Sequence, residues 1–211
     1  WGAALGLLAS QVAQGHLKLL DGQMAQWVRA WQSPAFDGLM RALTFFGSSV
    51  WALAILAALA SLAWRRGRWP EVLTLGGAFL LGLLIESALR LWVPQWRPDT
   101  TLVPIYADPL TRFHLTGFPS GHAFRAAFVF GWVGQKLESV NARWVGSAQI
   151  LCGVMIALVG VSRLYLNRHW ATDVLGSWLV ALLVLSIAKA WQTTWVKSAQ
   201  HPSGSILKSE V

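Results

Sequence analysis

Long apolar stretches separated by short polar connections dominate this chain. A helix needs about 20 apolar residues to cross the roughly 30 Å hydrocarbon core of a bilayer, so stretches of this length predict membrane-spanning helices. We therefore predict an all-α fold, an integral membrane helical bundle with about six transmembrane helices. The predicted spans are 1–17, 46–64, 71–93, 120–135, 144–161 and 173–191.

The two ends of the chain depart from this pattern. The first apolar stretch is short, and because the chain starts with Trp1 instead of Met, we expect its first span to be truncated. The last residues, rich in Ser, Lys and Gly, are typical of a disordered tail. We predict one transmembrane domain, 1–196, followed by a disordered cytoplasmic tail, 197–211.

The connection between the first two spans, residues 20–40, mixes charged residues with Trp27, Val28 and Trp31. This mixture predicts an amphipathic segment lying on the membrane surface. An ordinary solvated loop is the alternative.

Composition agrees with a membrane protein. Hydrophobic residues make up 55% of the chain and charged residues 12%, which is about half the charged share of a soluble domain. Many of the 14 tryptophans lie near the ends of apolar stretches, as expected at the lipid headgroups. The one cysteine, Cys152, lies inside an apolar stretch and excludes both an intramolecular disulfide and a thiolate metal cluster.

The formal charge of +8 does not indicate nucleic-acid binding, because the basic residues are scattered through short loops. In a six-span bundle the loops after spans two and four share one side with the tail, and the positive-inside rule places that side in the cytoplasm. The loops 94–119 and 162–172 then face outward. The basic residues on the inner side are Arg65, Arg66, Arg68, Lys136, Arg143, Lys197 and Lys208.

Two arginines stand at the outer end of the third span, Arg90 and Arg97, the latter followed by Pro98. A single cation near a helix end can extend to the interface, which would explain Arg90 alone. It does not explain the second guanidinium seven residues later. Two guanidiniums can grip a tetrahedral oxyanion through paired hydrogen bonds, so this pair predicts a phosphate ligand.

The segment 117–124, GFPSGHAF, leads into the fourth span. Its Pro119, Ser120 and Gly121 are typical of a loop that starts a helix and leaves backbone N–H groups aimed outward, where they favour an anion. His122 would lie in that first turn and could give a proton to a leaving oxygen. Taken alone, the string is more typical of an ordinary capped helix start.

The segment SRLYLNRHWATD, residues 162–173, joins the last two spans. His169 and Asp173 are four residues apart, so they would share a helical face if the sixth helix began near Asn167. A carboxylate beside imidazole fixes its tautomer and supports positive charge, which prepares the ring to attack phosphorus. Alone, the pair is compatible with a structural hydrogen bond, but Arg163 adds a third guanidinium to the set.

Taken in order, these three segments resemble the type 2 phosphatidic acid phosphatase family, whose active site is similar to that of vanadium haloperoxidases. The family pattern is Lys, six residues, Arg-Pro; Pro-Ser-Gly-His; and Ser-Arg, five residues, His, three residues, Asp. Only Arg90 departs from it, because lysine is usual there. An arginine keeps the charge but changes the reach and the hydrogen-bond geometry.

The resemblance implies a role for each matched residue. His169 is the expected nucleophile, Asp173 its orienting carboxylate, and His122 the general acid. No metal or other cofactor is expected, since Asp99 and Asp108 share one loop while Glu86 lies inside a span, where pairing with Arg90 is the expected role. The expected phosphate-binding residues are Arg90, Arg97, Ser120, Gly121 and Arg163.

The predicted function is therefore a metal-independent lipid phosphatase with a phosphohistidine intermediate. The expected partners are a phosphorylated lipid substrate and membrane lipids; the sequence does not indicate an oligomeric state. Polyprenyl diphosphate is the favoured substrate, with phosphatidylglycerol phosphate or phosphatidate as alternatives. More remote alternatives are a vanadate-dependent haloperoxidase and a non-enzymatic lipid-binding protein.

Small size, an outward-facing site and basic inner loops further predict a bacterial plasma membrane enzyme. Arg112, His114 and Arg125 match no motif. They are candidates either for contacts with a head group or a second phosphate, or for solvated loop and interface positions.

Overall fold

The computed structural model describes residues 1–99, 115–138, 140 and 142–200, with side chains as far as residue 194. These residues are mainly α-helical. In chain order the helices are α1 (Gly2–Ala13), α2 (Lys18–Arg29), α3 (Pro34–Phe45), α4 (Ser49–Arg65), α5 (Trp69–Trp92), α6 (Gly121–Leu137), α7 (Val145–Tyr165) and α8 (Ala171–Gln200).

The all-α prediction is confirmed, whereas a count of six spans is not. Within the described residues, α5, α7 and the Ala171–Thr194 part of α8 are long and apolar enough to cross a membrane. A fourth span is formed if α3 and α4, bent by 41° at their junction, count as one. Helices α1 and α6 coincide with predicted spans but have 12 and 17 residues, fewer than a straight crossing needs.

The ends of the chain bear on the predicted domain boundaries. Helix α8 continues to Gln200, past the predicted start of the tail, and residues 201–211 lie outside the described part. The division into a domain and a disordered tail therefore stays a prediction. The predicted amphipathic segment between the first two spans contains α2 and α3.

Local sequence explains several helix ends. The Ser48 and Ser120 hydroxyls accept backbone N–H groups at the starts of α4 and α6, which satisfies donors that a helix start leaves unpaired. Helix α5 ends at Trp92, two residues before Pro94, whose ring cannot continue a helix. After α7, Asn167 adopts a left-handed φ of 54°, a conformation that asparagine tolerates and that stops helices.

Helix α6 occupies the centre of the bundle and packs against α4, α7 and α8, while α5 packs against α4 and α8. Phe79 of α5 meets Phe124 and Phe128 of α6 in a buried aromatic cluster that continues to Trp132. Many leucines and tryptophans on the outer surface are exposed, as expected for helices whose surroundings are lipid. Because successive helices run in opposite directions, the end of α5, the start of α6, the end of α7 and the start of α8 meet at one end.

Candidate active site

The three sequence motifs converge at this end of the bundle. An isolated antiparallel bridge between Trp96 and Thr116 joins the two sides of the α5–α6 connection. The Ser120 amide donates to the Asp173 carbonyl over 3.2 Å, and the Ser177 hydroxyl lies 2.8 Å from the carbonyl oxygens of both residues. The second and third motifs are therefore fastened together through their backbones.

His169 and Asp173 form the predicted pair, with Nδ1 of the ring 3.2 Å from Oδ2 of the carboxylate. The structural basis differs from the prediction, because α8 begins at Ala171 and not near Asn167. His169 consequently lies in the turn before the helix, and Asp173 reaches back to it from the first helical turn. The same Oδ2 accepts the Trp170 amide over 2.9 Å, so one carboxylate oxygen fixes both the turn and the ring.

The His169 side chain is almost fully enclosed, with 4% of its surface exposed. Burial lowers the pKa of His169 well below its ordinary value, and the positive charges of Arg163, Arg97 and Arg90 lower it further. The imidazole is therefore neutral at neutral pH. Since Nδ1 faces a carboxylate acceptor, its proton belongs there, and Nε2 keeps a lone pair for attack.

Arg90 joins the first motif to the second. Its Nη2 donates to the Glu86 carboxylate one turn earlier on α5 and to the Pro119 carbonyl over 3.1 Å. The predicted Glu86–Arg90 pair is thus confirmed. The arginine that replaces the usual lysine holds the backbone of the second motif through this nitrogen.

Arg97 approaches the site from the α5–α6 connection, and Arg163 approaches it from the last turn of α7. Burial, followed by the neighbouring charge of Arg90, lowers the pKa of Arg97, which nevertheless remains a cation in proteins. Arg163 donates to the Thr44 hydroxyl over 2.7 Å. The Nε atoms of both arginines are buried without a hydrogen-bond partner among the described residues, so both retain donors for an anion.

Two glycines are required by close approach. A Cβ at Gly117 would lie 2.7 Å from Oδ2 of Asp173, and a Cβ at Gly121 would lie 2.8 Å from Oε1 of Glu86 and 3.0 Å from Nη1 of Arg125. Such distances are below van der Waals contact. Side chains at these two positions would therefore displace the charged groups around the second motif.

His122 lies in the first turn of α6, as predicted, and its Nδ1 is 3.3 Å from Nη2 of Arg125. Arg125 also donates from Nε to the Gly47 carbonyl over 2.9 Å. Because Arg125 contacts His122, its position favours neither the predicted headgroup contact nor the predicted place in a solvated loop. Arg112 and His114 lie outside the described residues.

A model of the PAP2 superfamily matches residues 71–197, which is more than half of the chain and includes all three motifs. The chain belongs to the PAP2 superfamily. The predicted family resemblance is therefore confirmed.

Two relatives of this PAP2 protein carry phosphatase names. Phosphatidylglycerophosphatase B of Bacillus subtilis is 27% identical over 189 residues, which cover 88% of this chain and 89% of the relative. Undecaprenyl-diphosphatase of Sulfolobus acidocaldarius is 29% identical over 183 residues, 82% of this chain and 83% of the relative. This PAP2 protein is a lipid phosphatase.

The solved structures agree with the fold. The transmembrane PAP2-type phosphatidylglycerolphosphate phosphatase from Bacillus subtilis superposes with a TM-score of 0.72 at 25% identity, covering 91% of this chain and 94% of that chain. Aquifex aeolicus LpxE, at 19% identity and a TM-score of 0.61, covers 81% of this chain and 95% of its own and shares the fold. The PAP2 protein is thus an integral membrane protein.

Sequence reasoning missed a buried polar network behind this PAP2 site. Asp21 of α2 accepts the Thr172 amide at Oδ1 over 3.0 Å and the Thr172 hydroxyl at Oδ2 over 2.6 Å. Gln95 donates to the same Oδ2 over 3.3 Å and to the Thr172 hydroxyl oxygen over 3.0 Å. Asp21 therefore caps the start of α8 from a distant helix. No local signal marks it, because it lies in a segment that looked amphipathic.

Replacing Asp21 by alanine is expected to destabilise the protein by about 2–4 kcal/mol, since it leaves several buried donors without their acceptor. Turnover should fall as well, because Thr172 lies between His169 and Asp173 in the chain. Thermal unfolding in detergent micelles and steady-state turnover would measure the two effects. Glu138→Ala is the matched control, since its ion pair with Lys189 is exposed and contributes little. A melting temperature no lower than that of the control would contradict the capping role.

Proposed function

We propose that this PAP2 protein hydrolyses its lipid phosphate through a phosphohistidine at His169. The observation that carries the proposal is that a neutral imidazole, oriented by a carboxylate, lies beside three arginines. Oδ2 of Asp173 lies 3.2 Å from Nδ1 of the ring. Besides burial, the positive charges of Arg163, Arg97 and Arg90 lower the pKa of the ring. A nucleophile with an open lone pair beside a cationic phosphate site is what phosphoryl transfer to histidine requires.

In the first step Nε2 of His169 attacks phosphorus, and the bond between phosphorus and the leaving oxygen breaks. Arg90, Arg97 and Arg163, with the Ser120 hydroxyl and the Gly121 amide, hold the equatorial oxygens whose charge they stabilise. His122 donates a proton to the leaving oxygen. Asp173 balances the positive charge that develops on the histidine ring as the P–N bond forms.

In the second step water attacks the phosphohistidine, phosphate leaves, and the electron pair of the P–N bond returns to His169. Burial and, after it, the charges of the arginines lower the pKa of His169, and the negative charge of a bound phosphate would oppose the effect of the arginines. The described residues contain no group of three or more His, Cys, Asp or Glu side chains suited to a metal ion. In this mechanism the arginines supply the positive charge.

Among lipid phosphates, we favour polyprenyl diphosphate. The archaeal relative is named for an undecaprenyl diphosphate, and a lipid phosphate departs from a diphosphate more readily than an alkoxide departs from a monoester. Phosphatidylglycerol phosphate is the second candidate, favoured by the name of the Bacillus relative and of its solved structure. Phosphatidate is the third.

We further propose that the site faces the exterior of a bacterial plasma membrane. Arg65, Arg66 and Arg68 lie in or beside the α4–α5 connection, at the end of the bundle opposite the motifs. The positive-inside rule places that end in the cytoplasm. The C-terminus of α8 shares it.

Phosphate release by detergent-purified protein in excess EDTA tests the proposal, using polyprenyl diphosphate, phosphatidylglycerol phosphate and phosphatidate beside a His169→Ala blank. We expect activity that survives chelation, with polyprenyl diphosphate turned over fastest. Release from the other two lipids with none from the diphosphate would refute the substrate preference. Activity that disappears in EDTA and returns with magnesium would refute the metal-independent mechanism.

A further inference from the structure

Arg125 has a role that the family motifs do not assign. It stands three residues after His122, so the two side chains share one side of the first turns of α6. Its Nη2 lies 3.3 Å from Nδ1 of His122, and its Nε donates to the Gly47 carbonyl. A guanidinium has donors only. The contact therefore requires Nδ1 of His122 to be an acceptor.

We propose that Arg125 is a positioning residue that holds His122 as the neutral tautomer with its proton on Nε2. In that state Nε2 is the one ring nitrogen able to give a proton to the leaving oxygen. In the opposite tautomer Nδ1 of His122 would carry the proton, and its N–H would face an N–H of Arg125. The inference rests on the proposed acid role of His122.

The surroundings hold Arg125 in this position from two sides. The carbonyl of Gly47, between α3 and α4, accepts a hydrogen bond from Nε of Arg125. A Cβ on Gly47 would lie 2.6 Å from the His122 carbonyl oxygen, so this junction packs directly on the first turn of α6. On the other side, Glu86 and Arg125 both lie within about 3 Å of the position that a Gly121 Cβ would occupy. The buried carboxylate thus provides a neighbouring opposite charge for the guanidinium.

These contacts distinguish Arg125 from Arg97 and Arg163, two of the arginines assigned to phosphate. Arg97 and Arg163 keep a buried Nε without a partner among the described residues. The Nε of Arg125 has a carbonyl acceptor, and its Nη2 faces an imidazole nitrogen. Arg125 therefore acts on the reaction through His122, and its charge lies where it stabilises the ring as the Nε2 proton departs.

The proton balance closes over the two steps. As the P–O bond breaks, its electron pair stays on the leaving oxygen, which takes the Nε2 proton of His122. The ring then carries no proton on either nitrogen and accepts the Arg125 hydrogen bond more strongly. In the second step Nε2 takes a proton from water while the resulting hydroxide forms the new P–O bond. The P–N electron pair returns to His169, and His122 is restored.

Leaving-group dependence tests the proposal. General acid catalysis contributes about 10²–10⁴-fold, and an alkoxide needs it more than a lipid phosphate does. We expect His122→Ala and Arg125→Leu to lower kcat for phosphatidate at least about 10-fold more than kcat for polyprenyl diphosphate. The double variant should lose no more than His122→Ala alone. Arg125→Lys, which keeps a donor, should recover part of the loss, and Arg66→Leu, at the opposite end of the bundle, serves as the control.

The outcomes separate the two proposals. Equal losses on both substrates in His122→Ala would remove the acid role and, with it, the basis for assigning Arg125. A leaving-group effect in His122→Ala that Arg125→Leu does not share, or losses that multiply in the double variant, would overturn the Arg125 inference alone. A rise in KM with unchanged kcat in Arg125→Leu would instead indicate a phosphate ligand and overturn it too.

A spectroscopic measurement on the unaltered protein avoids any folding defect. Nitrogen-15 chemical shifts of histidine-labelled protein, with the His122 signals assigned by their loss in His122→Ala, report which ring nitrogen carries the proton. We expect an unprotonated Nδ1 and a protonated Nε2 at neutral pH. The opposite tautomer, or a doubly protonated ring, would overturn the proposal.

Discussion

Replacing His169 by alanine is expected to lower kcat for every lipid phosphate by at least about 10⁴-fold, because the variant has no atom to receive the phosphoryl group. Direct attack by water on the bound phosphate remains possible, but it must complete in one step what the histidine divides into two. The buried ring lies among three arginines and one carboxylate, so its removal changes the reacting group while the phosphate-binding residues stay in place.

Two measurements make this expectation specific. Substrate with a radioactive terminal phosphate should label the unaltered protein with an acid-labile, alkali-stable phosphate, as phosphohistidine requires, and should leave His169→Ala unlabelled. His16→Ala is the matched control, since His16 is exposed and its ring contacts Gln11, and it should keep full activity. Turnover by His169→Ala within about 10-fold of the unaltered protein would contradict the nucleophile assignment.

The second large effect is expected for Asp173→Asn. We expect this variant to lower kcat by about 10²–10⁴-fold, the range associated with replacing the orienting carboxylate of a catalytic histidine. Asp173 is fully buried, and its Oδ2 receives both His169 and the Trp170 amide. An asparagine nitrogen at that position would oppose the Trp170 amide and force the His169 proton onto Nε2, which abolishes the nucleophilic lone pair. An asparagine oxygen there would keep the tautomer but lose the negative charge.

The control for this variant is Asp37→Asn, in which the acceptor of the Tyr165 hydroxyl is changed outside the site. It should retain kcat within about 3-fold. Single-turnover rates of phosphoenzyme formation would locate the Asp173→Asn defect in the first step. A loss smaller than about 3-fold would mean that Asp173 has only a structural function.

Sequence patterns were sufficient for the family and the general architecture. The apolar stretches coincide with helices because a chain in lipid must satisfy its backbone hydrogen bonds within each helix. The motif spacings identified the residues that meet around His169, since short fixed separations determine which side chains lie at the same helix end. The number of membrane crossings could not be predicted as well, because α1 and α6 are apolar but short and α3 is bent relative to α4.

The same patterns were less reliable for the geometry of individual contacts. The His169–Asp173 pair was predicted from helical spacing, yet a turn closed by the Trp170 amide produces it. Glu86 and Arg90 were correctly paired because they are four residues apart on one helix. Asp21 and Thr172 were not paired, because 151 residues separate them.

The sequence by itself determined an all-α membrane protein of the PAP2 superfamily and named the histidines, arginines and carboxylate of its candidate site. Local periodicity and short motif spacing carry that information. Only the tertiary structure decided that Asp21 caps the start of α8, that α8 begins at Ala171, and that Arg125 turns its donors toward His122 and Gly47. These features depend on how helices remote in sequence pack together, and the local periodicity of the sequence does not reveal such packing.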